Sequence, residues 1–474
     1  MTAIVLIVED DEDYVTEIIN ILKRLGAPYR AVVARNRDDA RVRLESEFID
    51  FAILDLKIPT GDNTLDLDPE HGKAIFHVAR RVTPGTKLLV LTSSQSDDFI
   101  ADLLSQKHDA DIWGEGSKVD TVEFIRKIDI DRAPDSIGKV LHAIHALDGV
   151  ELDLRAVNLD TGEDRLVRIF AKRFGAMRCV VSKIGGGRSG AKILRLKLFD
   201  GGGAPLREVV AKLAKLDRVQ DEDRRYEEHI ILLDGAVTPR KMAILEFGAG
   251  PIAGLFYHLA QGHDDSMFAT MAKEDARAAA AVAATAAALN DWSAGKPESR
   301  RTVKEVRQCW VGDDKAAELQ AAYALDWAAS FEARELQTRW CCVHGDLHGE
   351  NILVAAGSKI MIIDYGDVEH SPASYDAISL ELSAVLQQNE TISAAWPTNE
   401  LCRQWHDLDA YLAGCQMPEF VRACRAWALK VAAGRREVAA CAYTYLLRQL
   451  KYPDTDKGRI LALLEGVRAF MRAT

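Results

Sequence analysis

Three short runs, at residues 4–8 (IVLIV), 51–54 (FAIL) and 88–91 (LLVL), contain no polar residue. A strand with one wet face alternates polar and apolar residues, so uninterrupted runs of this length need cover on both faces. Segments with helical spacing of apolar residues, such as 14–25 and 73–82, alternate with them. Strands without a wet face, separated by amphipathic helices, predict a parallel sheet clothed by helices on both sides. Ligands of such sheets bind beyond the carboxyl ends of the strands, so the residues that follow each run carry the chemistry.

Glu9, Asp10 and Asp11 follow the first run. Asp55 follows the second, with Pro59 four residues on, and Thr92 and Ser93 follow the third. A further strand-like stretch at 110–113 leads to Lys118. Carboxylates gathered at neighbouring strand ends repel one another unless a cation sits among them, and hard oxygen donors suit Mg2+. In this order the residues resemble the receiver domain of two-component response regulators, over residues 1–131. The resemblance implies a doubly wound, flavodoxin-like parallel sheet of five strands. It implies Asp55 as phosphoacceptor, Glu9, Asp10 and Asp55 around Mg2+, Thr92 as switch hydroxyl and Lys118 as phosphate-binding lysine. An upstream histidine kinase is the implied donor. Two stretches depart from the pattern. Val119 stands where proline is usual, with Gly114 and Gly116 lengthening the approach to Lys118, and residues 60–70 form a long acidic loop.

Residues 132–175 read as a helical connector, with helices at 136–147 and 161–174, serving as a stalk or a spacer. From residue 176 the pattern turns to alternating strands at 178–184, 191–199 and 207–213. Between the first two lies GGGRSGA, whose Gly186, Gly187, Ser189 and Gly190 allow backbone N–H groups to approach an anion. It is not a Walker loop, because no Gly-Lys-Ser/Thr follows. Lys212 sits on the third strand, and Glu222 shares the inward stripe of the helix that follows. The run 242–247 reads as a strand whose end serves as an interdomain hinge.

The most specific signal is HGDLHGEN at 344–351, followed by IDYGD, in which Asp364 stands thirteen residues after Asn351. Phosphoryl transfer needs a carboxylate beside the attacking hydroxyl and oxygen ligands for the magnesium that bridges the nucleotide phosphates. With the glycine loop and Lys212, these residues resemble the aminoglycoside phosphotransferase and choline kinase family, over about residues 175–474. The resemblance implies a bilobal protein-kinase-like fold with an N-lobe at 176–250 and a C-lobe at 251–474. It implies Asp346 as catalytic base and Asn351 and Asp364 as Mg2+ ligands. Lys212 and Glu222 would position the phosphates of ATP or GTP. His344 would brace the loop, Asp376 is a structural acid, and His348 belongs to loop structure.

The acceptor is expected to be a hydroxyl of a small molecule or a protein, held by the helical region that includes an alanine-rich helix at 269–289. Residues 400–474 hold 8 acidic and 12 basic residues, a balance that does not suit a polycationic aminoglycoside. Residues 1–131 hold 26 acidic and 16 basic residues (−10), against 46 and 44 (−2) in the remaining 343. That acidity disfavours nonspecific nucleic-acid binding, and no DNA-binding output domain is evident. The eight cysteines form no CxxC pair. No signal-peptide pattern opens the chain, and its longest uncharged apolar run, 278–289, is too short to span a membrane. The expectation is a cytoplasmic signalling enzyme, with a homodimer left open. The alternatives are a nucleotide-binding adaptor without catalysis and a metabolite or antibiotic kinase carrying a passive receiver.

Overall fold

The computed structural model describes residues 1–62, 64, 66–93, 108–184, 191–259, 262–386 and 396–473. The chain divides into two compact units, 1–220 with 241–259, and 221–240 with 260–474.

The first unit opens with strands β1 (Ala3–Val8), β2 (Tyr29–Ala34), β3 (Phe51–Leu54) and β4 (Lys87–Thr92). A small antiparallel hairpin of β5 (Asp109–Ala110) and β6 (Val119–Asp120) precedes β7 (Val122–Arg126). The sheet order is β2-β1-β3-β4-β7 with every pairing parallel, the doubly wound flavodoxin-like order. Leu6, Ala52, Leu54, Leu88 and Val90 meet the helices Arg37–Ser46 and Pro69–Val82 on one face. Val5, Ile7, Ile53, Leu89 and Leu91 meet Glu12–Leu25 and Ala133–His145 on the other. Cover on both faces is why the runs lack polar residues.

The strand expected at 110–113 is not the fifth strand of this sheet. Its apolar residues, Ile112 and Trp113, are buried because they lie between β5 and β6 and enter the core from there. The true edge strand, Val122-Glu-Phe-Ile-Arg, buries only Val122 and Ile125 fully and is interrupted by Glu123, so it shows no uninterrupted apolar run.

The helix beginning at Ala133 is no stalk: Ile137, Val140, Leu141 and Ile144 face the parallel sheet and are buried. The second connector helix, Thr161–Arg173, carries a capping box of Asp160 and Glu163 and is followed by left-handed Gly175. The second sheet is built from β8 (Glu151–Asp153), which precedes this helix, and β9 (Arg178–Lys183), β10 (Lys192–Phe199), β11 (Pro205–Lys215), β12 (Arg240–Leu245) and β13 (Ile252–His258), which follow it. Its order is β12-β13-β11-β10-β9-β8. β8 pairs parallel to β9, whereas β9, β10, β11 and β13 run antiparallel.

A single cluster of buried side chains runs from Val5 and Ile53 through Ile144, Ile169 and Phe170 to Val181, Leu196 and Phe256. Packing is therefore continuous across residue 131. Phe170 stacks on Phe256, with ring centroids 4.0 Å apart and planes 4° apart. Arg165 donates from Nε and Nη2 to Asp50 at 2.8 and 3.1 Å, both residues being buried. Gly85 donates to Gly250 O at 2.9 Å and accepts from Gly248 N at 2.8 Å. A Cβ on Gly85 would lie 2.8 Å from Glu246 O, so only glycine permits this approach. Asp50 and Gly85 precede β3 and β4, so these contacts lie at the end of the parallel sheet opposite Asp55. They also correct the hinge reading of 242–247. That stretch ends in a turn at Gly248 and Gly250, both at positive φ, that returns the chain as β13.

The second unit contains β14 (Asp265–Ser266), β15 (Glu298–Thr302), β16 (Glu335–Val343), β17 (Ile352–Val354), β18 (Ile360–Ile362) and β19 (Glu369–Pro372). Helices surround them, among them Tyr375–Leu386, Pro418–Val431, Arg435–Leu450 and Lys457–Arg472. The alanine-rich segment is two helices, Met267–Lys273 and Asp275–Ala288, broken where Glu274 adopts extended backbone. Among the described residues, no helix is long and apolar enough to cross a membrane.

Candidate phosphoryl-accepting and phosphotransfer sites

β1 and β3 are adjacent with Val8 opposite Leu54, so the residues that follow, Glu9 and Asp55, come side by side. Both are buried, at 1% and 3% exposure. The lysine that meets them is Lys127, the first residue after β7, and not Lys118. Its Nζ lies 2.7 Å from Asp55 Oδ2, 2.7 Å from Glu9 Oε2 and 4.1 Å from the Tyr14 ring centroid. Lys118 is exposed on the hairpin loop, beside a cavity of about 680 Å³ also lined by Lys87, Glu123 and Lys139. The reassignment follows from the edge-strand correction, because the lysine belongs to whichever strand lies beside β4.

Burial pushes the Glu9 carboxyl up to about 7; the Asp55 charge adds to the shift and Lys127 opposes it. Burial favours neutral Lys127, but the two carboxylates outweigh it and hold the ammonium above its ordinary value. Burial also raises Asp10. One oxygen from each of Glu9, Asp10 and Asp55 lies within 4.8 Å of the others, a hard donor set that fits Mg2+. Thr92, wholly buried, ends β4. Two acids of the 60–70 loop, Asp66 and Asp68, serve local structure. Asp66 accepts from Thr60 Oγ1 at 2.6 Å, and Asp68 caps Pro69–Val82 through Glu70 N at 2.8 Å.

In the second unit, β16 ends at Val343 and delivers the chain into the HGD loop. Asp376, buried at the start of Tyr375–Leu386, accepts from His344 N at 2.7 Å and Gly345 N at 3.0 Å. Burial raises its carboxyl, against the pull of His344 and these two amides. His344 Nε2 lies 3.0 Å from Ile363 O and ties the loop to the residue before Asp364. Gly345 has φ +80°, and a Cβ there would lie 2.2 Å from Asp367 O and 2.3 Å from the Trp310 ring. Asp346 is thereby left with its side chain 43% exposed, while Asn351 is buried and donates from Nδ2 to Asp346 O at 2.9 Å.

The β17–β18 pairing brings Asn351 beside Ile363, whose N–H donates to Asn351 O at 2.9 Å, so Asp364 follows one residue on. Asp364 has φ +67°, a left-handed conformation that costs a non-glycine residue about 1–3 kcal/mol and clusters at functional sites. Amide and carboxylate oxygens of Asn351 and Asp364 are hard donors that fit Mg2+. Burial lowers the His348 pKa, and its Nδ1 accepts from Glu350 N at 3.3 Å, a loop-forming role.

Lys212 lies on β11 opposite Ile193 and Leu255 and is buried; Glu222, on the helix Leu216–Arg225, is also buried. Gly186, Gly187, Ser189 and Gly190 lie outside the described residues. One residue beside Asp346, Arg448, belongs to no motif. Arg448 Nη2 lies 4.0 Å from Asp346 Oδ1 and 2.6 Å from Asp367 Oδ2.

A doubly wound parallel sheet with a lysine-bridged carboxylate pair thus shares the chain with an HGD loop that gathers Asp346 and Asn351 near Asp364. Residues 229–397 match the model of the phosphotransferase enzyme family. Among solved structures, the chain is similar to an aminoglycoside-3'-phosphotransferase of type VIII, at 20% identity and TM-score 0.32. That match covers 56% of this chain and 100% of the other. It is also similar to a CheY-like response regulator receiver domain protein from Methanospirillum hungatei JF-1. The identity is 20% and the TM-score 0.22, over 30% of this chain and 98% of that one. A response regulator from Thermotoga maritima gives 20% and 0.22, over 30% and 99%. A comparison with curated proteins gives no match.

Proposed function

We propose that the chain is a two-component-type signalling enzyme in which a receiver regulates an ATP- and Mg2+-dependent phosphotransferase acting on a hydroxyl. The observation that carries the catalytic half is the convergence on one loop cluster of Asp346, Asn351 and Asp364, braced by Asp376 and His344. In this reading Asp346 accepts the proton of the acceptor hydroxyl. The hydroxyl oxygen attacks the γ-phosphorus, the bond to the β–γ bridging oxygen breaks, and ADP leaves. Asn351 and Asp364 hold Mg2+, which neutralises charge on the phosphates.

In the receiver half, an Asp55 oxygen accepts a phosphoryl group from the phosphohistidine of a histidine kinase, with Glu9 and Asp10 holding Mg2+. Lys127 then bonds the new phosphoryl oxygens instead of the bare carboxylates. Thr92 supplies a hydroxyl on the adjacent strand end. Coupling is supported by the unbroken core that joins the receiver sheet to β9–β13. The test is ATP turnover with and without acetyl phosphate, in wild type and Asp55→Asn. A donor-dependent change in wild type alone supports regulation, and identical rates throughout refute it. Turnover unaffected by Asp346→Ala favours the adaptor reading instead.

A further inference from the structure

Arg448 lies on the helix Arg435–Leu450, about a hundred residues beyond the HGD loop, yet its guanidinium grips that loop. Nη1 donates to Gly345 O at 2.8 Å and Nη2 to Asp367 Oδ2 at 2.6 Å, while Nη2 stands 4.0 Å from Asp346 Oδ1. One fork thus ties the residue before Asp346 to a residue three past Asp364. The fork is itself held in place. Its carbon lies 5.2 Å over the Trp310 ring, which stacks on Tyr375 at 4.6 Å and 10° and donates from Nε1 to Ser371 Oγ at 3.0 Å. The same indole fills the space that a side chain on Gly345 would need.

Asp346 itself is half-exposed, and its other titratable neighbour, His348, stands 3.7 Å away. Burial lowers the pKa of that imidazole and so disfavours its cationic form.

We propose that Arg448 is a positioning residue for phosphoryl transfer, clamping Gly345 to Asp367 so that the Asp346 carboxylate meets the acceptor hydroxyl. The proposal rests on the reading of Asp346 as the base. A lysine cannot replace this clamp, because one ammonium cannot reproduce two parallel donors in fixed geometry.

The experiment measures ADP release from MgATP by the full chain, with water as the acceptor. The variants are Asp346→Ala, Arg448→Met, Arg448→Lys, Asp367→Asn and the double variant Asp346→Ala with Arg448→Met. Misplacing a catalytic group by about 1 Å costs about 100-fold, so Arg448→Met should lower kcat about 10- to 100-fold. Its KM for ATP should stay within about twofold, because the proposal gives Arg448 no nucleotide contact. Arg448→Lys should recover little, and Asp367→Asn, which keeps Arg448 on Gly345, should fall between. Adding Arg448→Met to Asp346→Ala should cause no further loss.

A kcat for Arg448→Met within twofold of wild type overturns the proposal. So does a rise in KM matching the fall in kcat, or an equal loss in the Asp346→Ala background. If Arg448→Met unfolds, Asp367→Asn decides alone: a wild-type kcat overturns the clamp. Equal turnover by wild type and Asp346→Ala removes the base assignment and the clamp with it.

Discussion

Replacing Lys127 by methionine removes the cation that two buried carboxylates share. Nζ makes contacts of 2.7 Å to each, and the three groups are 7%, 1% and 3% exposed. Breaking a buried pair by removing one partner costs about 3–5 kcal/mol, because the remaining charge stays buried without compensation. At 1.36 kcal/mol per tenfold, that is roughly two to nearly four orders of magnitude in an opening equilibrium. Lys118→Met alters an exposed loop residue and should stay within about 0.5 kcal/mol. Native-state hydrogen exchange of the β1 and β3 amides, at pH 7 without Mg2+, reads the local opening in a chain of two units. Lys127→Met should speed exchange there and Lys118→Met should not. Mg2+ should restore part of the loss by replacing the missing cation. Equal effects from the two substitutions, or none from Lys127→Met, would refute the reassignment.

Three further outcomes follow from the same contacts. Arg165→Met strands Asp50 at the junction of the receiver sheet with the helix Thr161–Arg173, so it should destabilise the first unit by about 3–5 kcal/mol. Urea unfolding should show the receiver strands and β9–β13 losing stability together. Glu9 has a folded pKa raised from 4.5 to about 7, so the folded state binds the extra proton between those values. Stability without Mg2+ should therefore be highest below about pH 4.5 as far as this group is concerned. It should fall by about 3 kcal/mol as pH rises to 7, then level off. Glu9→Gln should flatten that part of the urea profile. Gly345→Ala places a methyl 2.2 Å from Asp367 O at positive φ, and it should abolish ATP turnover while exchange in β1–β4 stays unchanged.

Sequence reading reached the parallel sheet because strands covered on both faces leave uninterrupted apolar runs. It missed β7 because this edge strand is only partly buried and Glu123 breaks its apolar run, and Ile112 and Trp113 supplied a decoy. The lysine assignment failed with it; Lys127, standing directly after the β-prone Val-Glu-Phe-Ile-Arg stretch, was the available signal. The HGD loop was legible because its glycine, aspartates and asparagine are dictated by chemistry at fixed spacing. Arg448 was not, since a helical arginine a hundred residues away reaches the loop only through tertiary packing. The shared core was equally hidden: helices at 133–145 and 161–173 look alike whether they face solvent, a partner or two sheets at once.

The central claim, that the HGD loop transfers the γ-phosphoryl of ATP to a hydroxyl, is tested most directly by following radiolabelled γ-phosphate. Wild type and Asp346→Ala, each with Mg2+, are offered protein, lipid and small-molecule hydroxyl pools. Label appearing in one pool with wild type, and lost with Asp346→Ala, is the predicted result; equal labelling by both, or none by wild type in any pool, would contradict it.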